Sequence, residues 1–205
     1  MHHPTAGLRW TALGAALVCA LALTACAAPH EEADYYLDLA DDPMDASAIT
    51  LTTVDGGEWT FADAAPDRLT LLFFGYTSCP DVCPMTMAEI HLALADIGDD
   101  AERFDVVMVT TDPARDTGDQ LKSWLARFDP SFQGVRGDID DTVQAALDYG
   151  IPIEPPEEVE GDYLVSHGGR IIVLGDGGEA LGMFDEGTEA DRIAALLPGL
   201  ADTLL

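Results

Sequence analysis

Basic side chains are scarce in this chain of 205 residues: nine Lys and Arg stand against 38 Asp and Glu, a formal net charge of −29. That balance excludes nucleic acid as a partner, because phosphate binding needs clustered cations and a polyanionic surface repels it. Long apolar runs are missing as well. The most apolar stretch, residues 11–25, has 15 residues, short of the ~20 that a membrane-spanning helix requires. Cysteine is limited to four positions, too few for a domain held by many bridges. Apolar residues, by contrast, make up 48% of the chain, so a core forms and disorder does not describe the body of the molecule. The length suits one domain with a tail.

Residues 1–25 read as an export signal: a short start with Arg9 and two His, the apolar run, then Leu23-Thr24-Ala25-Cys26. The tetrapeptide resembles a bacterial lipobox, in which the Cys26 thiol is acylated and becomes the first residue of the mature protein. Plain cleavage near Ala25 and an uncleaved anchor are the alternatives. All three put the domain outside the cytoplasm, and lipidation at Cys26 tethers it to the outer face of the cytoplasmic membrane. Cys19 leaves with the leader and Cys26 carries lipid, so Cys79 and Cys83 are the two thiols that remain. A single close pair in an oxidising compartment is a disulfide, a redox couple or a soft-metal site. Loss of the leader removes only Arg9 among charged residues. The remaining acid keeps the domain soluble and draws cations from a distance.

Residues 26–46 are acidic, contain Pro29 and Pro43 and show no period, the pattern of a tether. The folded domain is expected over 47–205. Residues 49–54 and 58–61 flank Asp55-Gly56-Gly57, a hairpin signal. Residues 69–74 form a continuous apolar run that suits a strand buried on both faces. Met87, Ile90, Leu94 and Ile97 make a helical stripe, with Pro84 suited to its first position. A strand over 104–109, helices marked by Leu121, Leu125 and Phe128 and by 143–149, strands over 171–174 and 180–184 about a Gly-rich turn, and a last helix over 189–197 complete the reading. This alternation predicts a three-layer α/β sandwich on a mixed sheet with an added N-terminal hairpin. Residues 152–161 are a proline-rich acidic insertion.

The two cysteines sit in Ser78-Cys79-Pro80-Asp81-Val82-Cys83-Pro84, between a buried strand and a helix start. Free N–H groups and the positive end of the helix dipole favour thiolate there. The C-x-x-x-C spacing either closes a small disulfide or opens both sulfurs towards one ion, and a thiolate pair selects soft ions such as Cu(I), with imidazole able to complete three-coordination. Two sulfurs and a neutral imidazole around Cu(I) leave a net charge of −1. Three His remain after the leader: His30 in the tether, His91 on the first helix, and His167 before a strand and followed by Gly168-Gly169, which admits a close backbone approach. Composition alone leaves His167 open as a ligand.

Phe74-Gly75-Tyr76-Thr77-Ser78-Cys79-Pro80-Asp81-Val82-Cys83-Pro84, then Thr111-Asp112-Pro113-Ala114-Arg115-Asp116-Thr117, Phe128-Asp129-Pro130 and Tyr163-Leu164-Val165-Ser166-His167 together resemble the Sco/SenC family of copper-binding thioredoxin-fold proteins. The resemblance runs from about residue 49 to residue 197. It implies a thioredoxin-like fold and copper as the bound ion, Cu(I) with Cu(II) also open to it. It further implies Cys79, Cys83 and His167 as ligands, and a role in metallating the binuclear copper site of cytochrome c oxidase subunit II. The family's His usually follows Asp, and here it follows Ser166, which brings no charge to the imidazole. Asp81 is a loop carboxylate open to Cu(II) or to a partner, while Asp112, Arg115 and Asp116 are expected to fix the turn into the second helix by ion pairing and capping. The rival reading is a thiol-disulfide reductase with Cys79 as nucleophile and Cys83 as resolving thiol. It has no use for His167, and residues 157–197 lack the proline that thioredoxin-like reductases place opposite their motif.

Overall fold

The computed structural model describes residue 2 and residues 35–63, 67–155 and 163–205. The leader, Cys26 and the start of the tether lie outside the described residues, His2 excepted, as does most of the proline-rich insertion. Ten strands and four α-helices are described, besides two short 3-10 turns: β1 Tyr36–Asp38, β2 Thr50–Thr53, β3 Glu58–Thr60, β4 Leu69–Gly75, α1 Val82–Asp96, β5 Phe104–Thr110, α2 Gly118–Leu125, β6 Gln133–Arg136, α3 Ile139–Asp148, β7 Ile153–Glu154, β8 Ser166–His167, β9 Ile171–Leu174, β10 Ala180–Phe184 and α4 Ala190–Leu204. Eight of the strands form one sheet in the order β1-β10-β9-β4-β5-β6-β2-β3, and β7 and β8 form a separate pair.

Strand β4 is the centre because its run of Leu, Thr and Phe is buried at all seven positions, which requires cover on both faces of the sheet. It runs parallel to β5 and antiparallel to β9, so the sheet is mixed and the architecture is the expected α/β sandwich. The topology also places the chemistry. The C-terminal end of β4 leads into the cysteine loop, and the same end of β5 leads into residues 111–117. Because β9 is antiparallel, its N-terminal end, just after His167, lies there too, with Ile171 opposite Phe73. Three segments distant in sequence therefore meet at one edge of the core.

Helix α1 buries Cys83, Thr86, Met87, Ile90 and Ala93, at helical spacing, and packs on α4. It starts two residues before Pro84, so the proline occupies the third position, still within the first turn where its missing N–H has no helical acceptor. Thr117 caps α2 through a full capping box with Gln120. Helix α4 continues past Leu197 through Pro198, because Ala201 as well as Leu197 is buried in the core.

The tether is shorter than composition suggests. Tyr36–Asp38 pairs with β10, and Met44 bridges to Ala180. Acidic sequence and prolines mask this edge strand, which is held by the Tyr36 ring packed 4.9 Å from Phe184 and by backbone pairing that no local period reveals. The 55–57 hairpin joins β2 to β3 as expected, and β2 pairs with β6, extending the sheet.

Candidate metal centre

Cys83 lies in the first turn of α1 and is fully buried, whereas Cys79 is half-buried in the preceding loop. The helix start serves the sulfurs directly: the Cys83 backbone N–H donates to Cys79 Sγ at 3.4 Å, a helical donor satisfied by sulfur in place of a cap oxygen. Asp81, at the capping position, makes no side-chain cap bond and stays exposed. Gly75 makes room for the buried sulfur, since a Cβ there would come 3.0 Å from Cys83 Sγ and 2.4 Å from the Phe73 ring.

The imidazole of His167 completes the cluster. The two Sγ atoms and one ring nitrogen lie within 4.8 Å of one another, with Cys83 Sγ 3.4 Å from Nε2. On the far side of the ring, Nδ1 lies 3.1 Å from the Gly168 carbonyl oxygen. A carbonyl only accepts, so Nδ1 carries the proton and the Nε2 lone pair faces the sulfurs. The rings of Phe73 and Tyr76 stand edge-on to the imidazole at 5.9 and 5.7 Å and fix its plane. Among the described residues no other group of three or more His, Cys, Asp or Glu converges in this way.

Protonation follows burial. Burial pushes the His167 imidazole below its usual value, against smaller opposing effects from the Gly168 carbonyl and Glu186, so the ring is neutral at pH 7 and available as a donor. Burial drives the Cys83 thiol far up, more than the hydrogen bond from the Tyr76 backbone N–H lowers it. The helix start is expected to favour thiolate at this turn; for Cys83, enclosed as it is, desolvation outweighs the dipole. Burial also raises the Tyr76 phenol, and the adjacent sulfurs act in the same direction.

The loop after β5 holds both halves of the site. The buried Asp116 carboxylate accepts from the Thr77 backbone N–H at 3.0 Å, from Thr77 Oγ1 at 2.5 Å and from Thr110 Oγ1 at 2.5 Å. It anchors the cysteine loop, and the capping expected of it belongs to Thr117. Asp112 and Arg115 form the expected ion pair, but the pair reaches beyond its own turn: Tyr163 Oη donates to Asp112 at 2.8 Å, and the Arg115 guanidinium lies 3.5 Å over the Tyr163 ring. Tyr76, Asp116 as loop anchor and Tyr163 are residues that pattern reading did not assign to the site. Apart from the Asp116–Thr110 contact, six positions apart, their partners lie 39 to 89 positions away in sequence.

Other residues fall elsewhere. His91 faces Asp129, with Nδ1 3.7 Å from the carboxylate, and takes no part in the cluster. His30 lies outside the described residues. Ser166 is exposed and pairs with Glu154 across β7 and β8, so the acid that acts on the imidazole is Glu186, whose carboxyl group fills the space left by the absent side chain of Gly169. Two soft sulfurs and one imidazole in this arrangement match Cu(I) in number and kind.

A Stutzerimonas stutzeri protein named for copper binding is 33% identical over 162 residues, covering 78% of this chain and 79% of that protein. The human mitochondrial SCO1 homologue is 30% identical over 156 residues, 75% of this chain and 52% of its own length, so the chain spans about half of that relative. The solved structure of Bradyrhizobium japonicum ScoI with copper bound superposes with a TM-score of 0.66 at 30% identity, covering 78% of this chain and 99% of that one. The family model for SCO1/SenC matches residues 43–202, and with all four segments of the earlier resemblance inside that match, the chain belongs to the SCO1/SenC family.

Proposed function

We propose that this protein is an extracytoplasmic copper carrier that holds Cu(I) through Cys79 Sγ, Cys83 Sγ and His167 Nε2 and passes it to the binuclear copper site of cytochrome c oxidase subunit II. The single observation that carries the reading is the convergence of those three atoms within 4.8 Å, with the imidazole lone pair turned towards the sulfurs. The oxidase as recipient follows from the family's role, and anchoring through acylated Cys26 follows from the leader sequence. Loading balances as one Cu(I) taken up and two thiol protons released, leaving a site of net charge −1. Joining the sulfurs by exchange with an external disulfide, which takes up the two electrons and two protons as a pair of thiols, removes both anionic ligands, so redox state gates loading.

Hand-over proceeds by ligand exchange, and Cys79, the more exposed sulfur, is where an incoming ligand first reaches the metal. The reductase reading is disfavoured. Dithiol exchange does not require an imidazole aimed at the sulfurs, whereas three-coordinate Cu(I) does.

Copper titration of the reduced protein against a Cu(I) chelator tests the assignment. About one Cu(I) per chain is expected, and His167→Ala should weaken binding by more than the loss of an outer-shell partner, which costs about ten- to a hundredfold, with the far-ultraviolet spectrum unchanged. Equal affinity in wild type and variant would overturn the three-ligand assignment. Mixing the loaded protein with apo-subunit II and following both metal and disulfides distinguishes delivery of copper from reduction of the recipient's cysteines.

A further inference from the structure

His167 is not held by its own strand alone. The pair β7–β8 offers two residues on each side, too little to fix a side chain against the pull of a metal. The segment before it, Tyr163 to Val165, is tied down at three points. Tyr163 Oη donates to Asp112 Oδ1 at 2.8 Å, the Tyr163 ring stacks on the Arg115 guanidinium at 3.5 Å, and the Val165 backbone N–H donates to Tyr76 Oη at 3.3 Å. Arg115 is itself paired with buried Asp112 and lies 5.7 Å from the Tyr76 ring. The loop carrying Asp112 and Arg115 also carries Asp116, which anchors the cysteine loop through Thr77. One turn, residues 111–117, therefore grips the sulfur-bearing segment with one carboxylate and the imidazole-bearing segment with an Asp–Arg–Tyr cluster.

We infer that Asp112, Arg115 and Tyr163 form a latch that sets the distance between the imidazole of His167 and the two sulfurs, and thereby sets how tightly the third ligand holds copper. The inference rests on the three-ligand reading above and adds to it positioning residues that never touch the metal. With the latch closed, the ring is presented to the sulfurs before any ion arrives, so binding does not spend free energy on ordering the segment. With the latch broken, the sulfurs remain in place, because their anchor is Asp116, and the site relaxes towards two-coordination. A planar cation stacked on an aromatic ring is specific to Arg: Lys keeps the charge but loses both the stacking and the fork.

The test is a double-mutant cycle with a second readout that needs no copper. In the full-length reduced protein, Arg115→Ala and Tyr163→Ala should each lower Cu(I) affinity by about tenfold. Tyr163→Phe, which keeps the ring under the guanidinium, should retain affinity within about threefold, and Arg115→Lys should behave like Arg115→Ala. Placed on His167→Ala, the same substitutions should change affinity by less than about twofold, since they act through the missing ring. In metal-free protein, Arg115→Ala should speed hydrogen exchange at the Val165 and Gly168 amides by about tenfold or more, with β4 amides unaffected. Equal losses in both backgrounds would make the cluster a general structural tie and overturn the inference, as would unchanged exchange at Val165 and Gly168. If His167→Ala itself costs no affinity, the three-ligand reading fails, and the exchange data alone decide whether the latch holds the segment.

Discussion

The half-buried His167 and the buried Cys83 of the centre pull stability in opposite directions along the pH axis. For His167, burial lowers the folded value, so on acidification the unfolded chain takes up a proton that the folded chain refuses. Stability of the metal-free, reduced protein is therefore complete above the ordinary imidazole value of about 6.5 and falls as pH drops towards the folded one. For Cys83, burial raises the folded value. The unfolded chain releases a proton above its ordinary value of about 8.5 while the folded chain keeps it, so stability is complete below that pH and declines above it. Urea unfolding under reducing conditions should show a maximum between the two limbs, and His167→Ala should flatten the fall on the acid side of about pH 6.5. A loss at acid pH of the same size in both proteins would show that the folded structure does not lower the ring's pKa. At this scale the sulfurs were legible from C-x-x-x-C after a buried strand, and His167 only from the motif around it. The protonation of Cys83 was not, because dipole and burial compete and burial is a property of the packed molecule.

At the scale of elements, the loop between β5 and α2 deserves to be read as a joint rather than a connection. Asp116 accepts three hydrogen bonds in a fully buried position, so Asp116→Ala leaves two Thr hydroxyls and one backbone N–H unsatisfied. At ~1–3 kcal/mol for each stranded group with partial relaxation, a loss of about 3 kcal/mol is expected. That corresponds to a fall in Tm of roughly 10 °C for a domain of this size, measurable by calorimetry of the metal-free protein, with Asp116→Asn losing less. Strand β4 and helices α1 and α2 were legible because their apolar residues repeat locally. Strand β6 was not: Gln133 and Arg136 flank only Gly134 and Val135, and the strand exists because β5 and β2 pair with its two sides. The Asp112–Tyr163 tie was equally hidden, its partners being 51 positions apart.

The whole molecule is a polyanion, with −29 formal charges over 205 residues. A cationic copper donor or recipient is drawn to it over a distance set by salt: the Debye length shrinks from about 30 Å at 0.01 M to about 8 Å at 0.15 M ionic strength. The rate of copper transfer to a cationic acceptor protein should therefore fall by about tenfold or more across that range, while transfer to a small neutral chelator changes little; stopped-flow mixing measures both. The sheet places a further constraint on encounters. Both of its margins, β1 and β3, are three residues long. Among the described residues both margins of the main sheet are too short to template a strand readily from a visiting chain. A partner would meet side chains instead, at the loop-bearing end of the sheet that carries Cys79, Cys83 and His167.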